Sequence, residues 1–87
     1  MAVPNQTHVV HLFAAAAERV RMRIVELSLP SGSTVADLRR LLTQSSPALA
    51  EILERCAIAV DQEYAPDNAT VIPPGAELAV LPPVSGG

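Results

Sequence analysis

The sequence predicts a single α+β domain in which a helix packs across one face of a β-sheet. The chain has 87 residues, of which 49% are hydrophobic, and a second domain would need roughly another hundred residues. Its apolar patterns follow the order strand, strand, helix and further short strands, and a helix between two groups of strands is typical of an α+β sheet. We expect a flexible N-terminus at residues 1–8, the domain at residues 9–83 and a flexible tail at residues 84–87.

Two strands with a helical turn between them are predicted in the first third of the chain. Residues 9–13 form an apolar run that favours a strand buried on both faces. Alanine and glutamate favour a helical turn over Ala14–Val20. Apolar residues then alternate with polar ones, which predicts a half-buried strand. The apolar members of that strand are Val25, Leu27 and Leu29.

The main helix is predicted in the middle of the chain. Ser33 or Thr34 can accept a backbone N–H as the N-cap, and Asp37 lies in the first turn, where the helix dipole favours a negative charge. Arg39 and Arg40 are expected to face water. The buried face is marked by apolar residues at helical spacing, namely Val35, Leu38, Leu41 and Leu42.

A shorter helix and the remaining strands complete the predicted domain. Ser46 is a candidate cap and Pro47 suits the first helical position. The apolar stripe of this helix is Leu49, Ile52 and Leu53. Ala57–Val60 and Leu78–Leu81 are predicted strands, whereas only brief strand segments are expected over residues 64–72, which prolines and polar residues interrupt.

Composition and reactive side chains exclude several classes of function. A net charge of -3 and 2% aromatic residues argue against nucleic-acid partners, because phosphates attract basic surfaces and single strands need aromatic platforms. His8 and His11 are interpreted as a surface imidazole and a strand residue, without a metal site. Cys56 lies between an apolar helix and an apolar strand, so we predict a buried small side chain and not a reactive thiol.

A soluble, cytoplasmic protein with no membrane partner is expected. No apolar run approaches the ~20 residues that a membrane-spanning helix needs. Residues 9–17 end in four alanines and resemble the apolar core of a signal peptide, but no Lys or Arg precedes them. The lone cysteine also suits a reducing compartment.

The unusual feature is the ending Pro82-Pro83-Val84-Ser85-Gly86-Gly87. Two terminal glycines occur by chance in roughly one chain in two hundred, and on their own they also fit a simple flexible end. Here they follow a predicted strand that two prolines stop, which directs them stiffly away from the sheet. Residues 84–87 reach up to roughly 13 Å when extended, and glycines can enter a tunnel that larger residues block.

Such a tail can present its α-carboxylate inside another protein. A carboxylate is a poor electrophile at neutral pH, so nucleophiles do not attack it until its oxygen has been converted into a leaving group. Adenylation by ATP supplies that activation. The acyl-adenylate can then be attacked by an amine, which gives a conjugate, or by sulfur, which gives a thiocarboxylate.

Four segments carry a family resemblance: Val9-Val10-His11-Leu12-Phe13-Ala14, Thr34-Val35-Ala36-Asp37-Leu38, Ala59-Val60-Asp61-Gln62 and Leu81-Pro82-Pro83-Val84-Ser85-Gly86-Gly87. Together they resemble the small sulfur-carrier subunit of molybdopterin synthase, over nearly all of residues 9–87. The proline pair before the diglycine is the most specific part. The resemblance implies a ubiquitin-like β-grasp fold, with a mixed sheet whose first and last strands are parallel neighbours.

The resemblance also implies a sulfur-donating subunit of a sulfurtransferase that is not catalytic by itself. Gly87 is then the site of adenylation and of the thiocarboxylate, and Gly86 threads into the active site of a large catalytic subunit, where the sulfur passes to a precursor pterin. The implied partners are this large subunit, in a heterotetramer, an adenylating activating enzyme and a sulfur-donating enzyme. No cofactor is expected to bind stably, and the activating enzyme uses ATP.

Burying the tail in a partner requires contacts elsewhere on the domain. Ordering each flexible residue costs about 1 to 2 kcal/mol, so we expect an apolar docking surface near the tail. The candidates on the sheet are Phe13, Leu78 and Val80. The candidates leading to the diglycine are Pro82, Pro83, Val84 and Ser85.

Two positions depart from the family pattern. Pro74-Gly75-Ala76 replaces the frequent Asp-Gly-Asp before the last strand, and Asp61 stands where Asn is frequent, which leaves open a paralogue with a different partner preference. Besides a plain interaction domain whose tail has no role, two other functions also stay open. One is a thiazole-pathway sulfur carrier, against which the proline pair argues. The other is a protein modifier conjugated through Gly87, which could not build chains on itself because the sequence contains no lysine.

Overall fold

The computed structural model describes residues 5–83, which form one five-stranded sheet and three helices. In chain order the elements are β1 Asn5–Leu12, α1 Ala14–Val20, β2 Ile24–Pro30, α2 Val35–Ser45, α3 Pro47–Leu53, β3 Ala57–Val60, β4 Glu63–Tyr64 and β5 Leu78–Leu81. The strands lie across the sheet in the order β2-β1-β5-β3-β4. The α+β class is confirmed, and α1, β3 and β5 have the predicted bounds.

The sheet is mixed because its two central strands run parallel. Val10 of β1 lies opposite Leu78 of β5 in a parallel pair, whereas the pairs β1–β2, β3–β5 and β3–β4 are antiparallel. The first and last strands are therefore parallel neighbours, as the resemblance implied. This is the β-grasp arrangement.

The core lies between the helices and one face of the sheet. One cluster joins buried residues of β1, β3 and β5 to buried residues of all three helices. On β1, Val10 and Leu12 are buried, whereas the alternate residues Val9 and His11 are only half-buried. The prediction that this strand is buried on both faces is therefore wrong, because the helices pack against one face only and successive side chains point to opposite faces.

The ordered domain begins earlier than predicted. β1 starts at Asn5 and pairs with β2 from Asn5 opposite Pro30 onward, so the expectation of a frayed segment fails for residues 5–8. His8 is 2% exposed and donates through Nδ1 to the carbonyl oxygen of Ala76 at 2.8 Å, so it is not a surface imidazole. Ladder hydrogen bonds use only the backbone, so polar side chains did not prevent this pairing.

α2 begins with a capping box, in which Thr34 and Asp37 form reciprocal hydrogen bonds. The Asp37 N–H donates to Thr34 Oγ1 at 3.3 Å, and the Thr34 N–H donates to Asp37 Oδ2 at 2.9 Å. Thr34 is therefore the N-cap, and the hydroxyl of Ser33 donates to the carbonyl oxygen of Pro30 instead. The bonds from Thr34 lower the pKa of Asp37. The stabilisation by this carboxylate is thus present above the ordinary pKa of aspartate and is lost as the pH falls through the lowered folded-state value.

We expect Thr34→Ala to lower the free energy of unfolding by about 1 kcal/mol, because alanine cannot accept the N–H of Asp37. Thr43 is exposed in the same helix and provides the matched control. The Thr43→Ala variant should stay within about 0.5 kcal/mol of the parent chain. Urea unfolding at equilibrium measures both variants, and equal effects would contradict the role of the cap.

Arg39 closes the C-terminal end of α3, although it was expected to face water. Its Nη1 and Nη2 donate to the carbonyl oxygens of Leu53 and Cys56 at 2.6 and 2.9 Å, and its Nε donates to Asn68 Oδ1 at 2.9 Å. Carbonyl groups at the end of a helix lack partners within the helix, so a guanidinium there satisfies them. Arg40 is exposed, as predicted.

Cys56 is buried, as predicted. It is 3% exposed, and its thiol donates to the carbonyl oxygen of Ile52 at 3.3 Å. Burial raises the pKa of the Cys56 thiol and outweighs the opposing charge of Arg39. The neutral thiol is therefore favoured, which suits a packing role.

Candidate functional site

The helix-free face of the sheet carries a row of four paired residues. His11 lies opposite Ala79, Ala79 opposite Ala59 and Ala59 opposite Tyr64, so the row crosses β1, β5, β3 and β4. Directly paired residues point to the same face of a sheet. The two alanines are therefore a low floor between a histidine and a tyrosine.

An apolar depression of about 400 Å³ lies over this floor. We call it the sheet patch and define it by Phe13, Ala59, Tyr64, Ala79 and Leu81. Its aromatic residues are 47% and 70% exposed, although burial of an aromatic side chain is strongly favourable. Exposed apolar side chains grouped around a depression indicate a surface that a partner covers.

The backbone positions both aromatic residues of the sheet patch, Phe13 through a hydrogen bond and Tyr64 through strand pairing. The N–H of Phe13 donates to the carbonyl oxygen of Val80 at 3.3 Å, directly before α1 begins. Tyr64 follows a tight turn in which Asp61 and Gln62 have φ values of 49° and 71°. Left-handed backbone at both central residues is typical of a two-residue hairpin turn, and it suits an Asp or Asn at the first position.

The turn between β3 and β4 is held to the start of β5. The Asp61 N–H donates to the carbonyl oxygen of Glu77 at 2.8 Å, and the Glu77 N–H donates to Asp61 Oδ1 at 2.9 Å. The Glu77 carboxylate lies 3.2 Å from His11 Nε2 at the polar rim of the sheet patch. The patch thus combines an apolar floor with a polar rim, as protein interfaces do.

Among residues 5–83, no three His, Cys, Asp or Glu side chains are grouped closely enough to hold a metal ion. In the same part of the chain, no helix combines the length and the apolar character that crossing a membrane requires. The geometry indicates binding through the sheet patch.

Two of the three docking residues predicted on the sheet are buried, although Leu78 also borders the depression of the sheet patch. Leu78 is 1% exposed and Val80 is fully buried, because both point toward the helices. Their neighbours Ala79 and Leu81 lie on the opposite face and line the sheet patch. Phe13 is exposed there, so it stays a predicted docking residue.

Sequence reasoning also missed Tyr64 as a docking candidate. The sequence did contain a signal, since Tyr64 is an aromatic residue directly after the polar stretch 61–63. The whole chain has only one Tyr, one Phe and no Trp. Its 70% exposure places it at the edge of the sheet patch.

The C-terminal segment leaves the sheet beside the sheet patch. Leu81 is the last residue of β5, and Pro82 is half-buried whereas Pro83 is exposed. The predicted site residues Val84, Ser85, Gly86 and Gly87 lie outside the described residues. The described chain therefore ends next to the apolar surface that a partner of this segment would contact.

Comparisons with known proteins identify the family. The profile of the ThiS family matches residues 10–87, which includes the terminal diglycine. The molybdopterin synthase sulfur carrier subunit of Arabidopsis thaliana is 37% identical over 76 residues, which cover 87% of this chain and 78% of that protein.

Two solved structures share the fold. Small archaeal modifier protein 1 of Haloferax volcanii is 26% identical with a TM-score of 0.79, over 91% of this chain and 99% of that one. A complex of subunits 1 and 2 of the molybdopterin-converting factor from Helicobacter pylori contains a chain that is 26% identical with a TM-score of 0.68, over 94% of this chain and 100% of that one. The chain therefore belongs to the ThiS family, where its relatives include the sulfur-carrier subunits of molybdopterin synthase.

Proposed function

We propose that this chain is the sulfur-donating subunit of a molybdopterin synthase and that Gly87 carries the sulfur. The observation that carries the proposal is the match to the ThiS family, which extends through Gly87. Relatives that are named sulfur carrier subunits of molybdopterin synthase support it. The position of the sheet patch, beside the point where the C-terminal segment leaves the sheet, also supports the proposal. A carrier needs such a docking surface because its C-terminus must enter another protein.

The proposed chemistry uses the terminal carboxyl group alone. An activating enzyme transfers AMP from ATP to the Gly87 carboxylate, which releases pyrophosphate. The terminal sulfur of a persulfide on a sulfur-donating enzyme then attacks the acyl carbon and displaces AMP. A thiol reduces the resulting acyl disulfide, which releases the thiocarboxylate and leaves a disulfide on the donor. A thiocarboxylate is anionic near neutrality, which is the state that a nucleophilic sulfur needs. In the large subunit the sulfur passes to a precursor pterin, and water returns the Gly87 carboxylate.

The sheet patch would supply the docking energy. Ordering residues 84–87 costs about 1 to 2 kcal/mol for each residue. Burial of apolar surface stabilises by roughly 25 cal/mol per Å², so covering Phe13, Tyr64 and Leu81 offsets a cost of that size. A large catalytic subunit is the proposed partner, and the Helicobacter pylori complex of subunits 1 and 2 supports this choice.

Reconstitution tests the proposal. The chain with a C-terminal thiocarboxylate is mixed with the large subunit and the precursor pterin, and the dithiolene product is measured. Because a dithiolene contains two sulfur atoms and each chain carries one, two chains should be consumed for each product molecule. The matched control is the chain with an ordinary carboxylate, which should give no product. Equal product from both forms would contradict the proposal.

A protein modifier is the second candidate, because small archaeal modifier protein 1 of Haloferax volcanii has the same fold. In that case an amine attacks the Gly87 adenylate and the chain becomes linked to a lysine of another protein. Lysine-linked adducts that form with the activating enzyme, without any thiocarboxylate, would favour the modifier over the sulfur donor.

A further inference from the structure

Within residues 5–83 no strand pairs with the outer edge of β2, so this edge of the sheet presents free backbone groups. The Leu12 N–H donates to the carbonyl oxygen of Arg23 at 2.8 Å, and the register continues through alternate pairs along β1 and β2. Backbone groups of an antiparallel strand point alternately toward and away from the partner strand. The N–H groups of Ile24, Glu26 and Ser28 therefore point away from β1. Pro30, which has no N–H, takes the next outward position, where proline is tolerated.

An apolar groove runs beside this edge on the helix side. We call it the edge groove and define it by Met22, Val25, Leu27, Leu42 and Leu49, which line a cavity of about 230 Å³. Val25 and Leu27 are only half-buried, although they point toward the core. The edge groove has room for further side chains that residues 5–83 do not supply.

The charges at one end of the edge groove are positive. Arg21 and Arg23 flank Met22 and are exposed, and neither forms an ion pair within residues 5–83. No acidic side chain of the described residues lines the 230 Å³ cavity. The chain as a whole carries a net charge of -3. The local charge at the Arg21 and Arg23 end of the edge groove is therefore opposite in sign to the net charge of the chain.

We propose that β2 and the edge groove bind an extended segment of a partner protein, with apolar side chains at alternate positions and acidic residues flanking them. The segment adds to the sheet as a strand about 4.8 Å from β2. Its backbone bonds the outward groups of Ile24, Glu26 and Ser28, its alternate side chains fill the edge groove, and its acidic flank faces Arg21 and Arg23. Strand addition of this kind takes affinity from the backbone and specificity from the pockets.

A second copy of this chain fits the edge less well. The apolar side chains of its own β2 already pack on its own core, so they would leave the edge groove unfilled. Two copies also bring together net charges of -3. The edge groove and the sheet patch lie on opposite faces of the sheet, so both can be occupied at once and the proposal goes beyond sulfur transfer.

Titration of the isotope-labelled full chain with a synthetic peptide tests the proposal. The probe has valines at alternate positions, threonines between them and Asp-Glu at both ends. We expect a dissociation constant below about 100 μM and at least tenfold slower exchange of the outward amide hydrogens of Ile24, Glu26 and Ser28. The readout is binding, so it does not depend on whether Gly87 carries sulfur.

Variants locate the peptide. Met22 is 50% exposed, so Met22→Asp should leave the thermal unfolding midpoint unchanged while it weakens binding at least tenfold, and Met22→Leu should bind as the parent does. Arg21→Glu combined with Arg23→Glu should weaken binding of the acidic peptide about tenfold and leave a peptide with neutral ends unaffected.

Three results would overturn the proposal. The first is that the peptide shows no saturable binding. The second is that the chemical shift changes caused by the peptide centre on the sheet patch. The third is concentration-dependent dimerisation of the chain through β2, which would assign the edge to a second copy.

Discussion

Deletion of Gly87 is expected to abolish sulfur transfer in the reconstituted reaction while the domain still folds and docks. The shortened chain ends about 3.5 Å earlier, so its carboxyl group stops short of the place where activation and transfer occur. The described members of the sheet patch and of the core lie between Val10 and Leu81. We therefore expect the free energy of unfolding to stay within about 0.5 kcal/mol of the parent chain.

Replacement of Gly86 by a larger residue tests whether the C-terminal segment must be narrow to enter the partner. Gly86→Trp should also abolish transfer, because a bulky side chain blocks a passage that glycine can enter. Ser85→Ala changes the neighbouring residue without adding bulk, so it should retain most of the activity. Product formation, docking affinity and unfolding are measured for all three variants. Loss of folding on deletion of Gly87 would mean that the tail is structural, contrary to the proposed role.

The second large effect is expected at the sheet patch. Tyr64→Asp places a charge in the surface that the large subunit covers, so the dissociation constant should rise about a hundredfold, or roughly 2.7 kcal/mol. Since Tyr64 is 70% exposed, the free energy of unfolding should change by less than about 0.5 kcal/mol. Calorimetric titration of the large subunit with each variant measures the affinity.

Two controls separate docking from general effects of charge. Tyr64→Phe keeps the ring and should bind within about threefold of the parent chain. Val71 is also exposed, at 58%, but it does not line the sheet patch, so Val71→Asp should bind normally. Equal weakening by the Asp substitutions at residues 64 and 71 would show that net charge, and not the sheet patch, controls docking.

The parts of the fold that local signals mark were predictable. Thr34 with Asp37 marks the start of α2, Pro47 opens α3, and the proline pair ends β5. Each signal acts through the backbone of its own segment, by capping or by the missing N–H of proline. These boundaries therefore follow from a few neighbouring residues, without knowledge of the rest of the fold.

The parts that depend on distant residues were not predictable. Leu78–Leu81 contains no polar residue, so its sequence could not show which side chains face the helices. β1 includes Asn5 because β2 pairs with it. Arg39 turns inward because the carbonyl oxygens of Leu53, at the end of α3, and of Cys56, just after it, need donors. For the candidate site, Phe13 and the exit at Pro82 were found from the sequence, whereas Tyr64 and Leu81 required the pairing of the strands.

Intact mass spectrometry of the chain purified from its own cells tests the central claim most directly. The account predicts a population heavier than the unmodified chain by the difference between sulfur and oxygen, with the change located on the C-terminal peptide that ends in Gly87. Cells that lack the activating enzyme should contain only the unmodified mass. A chain found only as the free carboxylate and as lysine-linked adducts of other proteins would contradict sulfur donation.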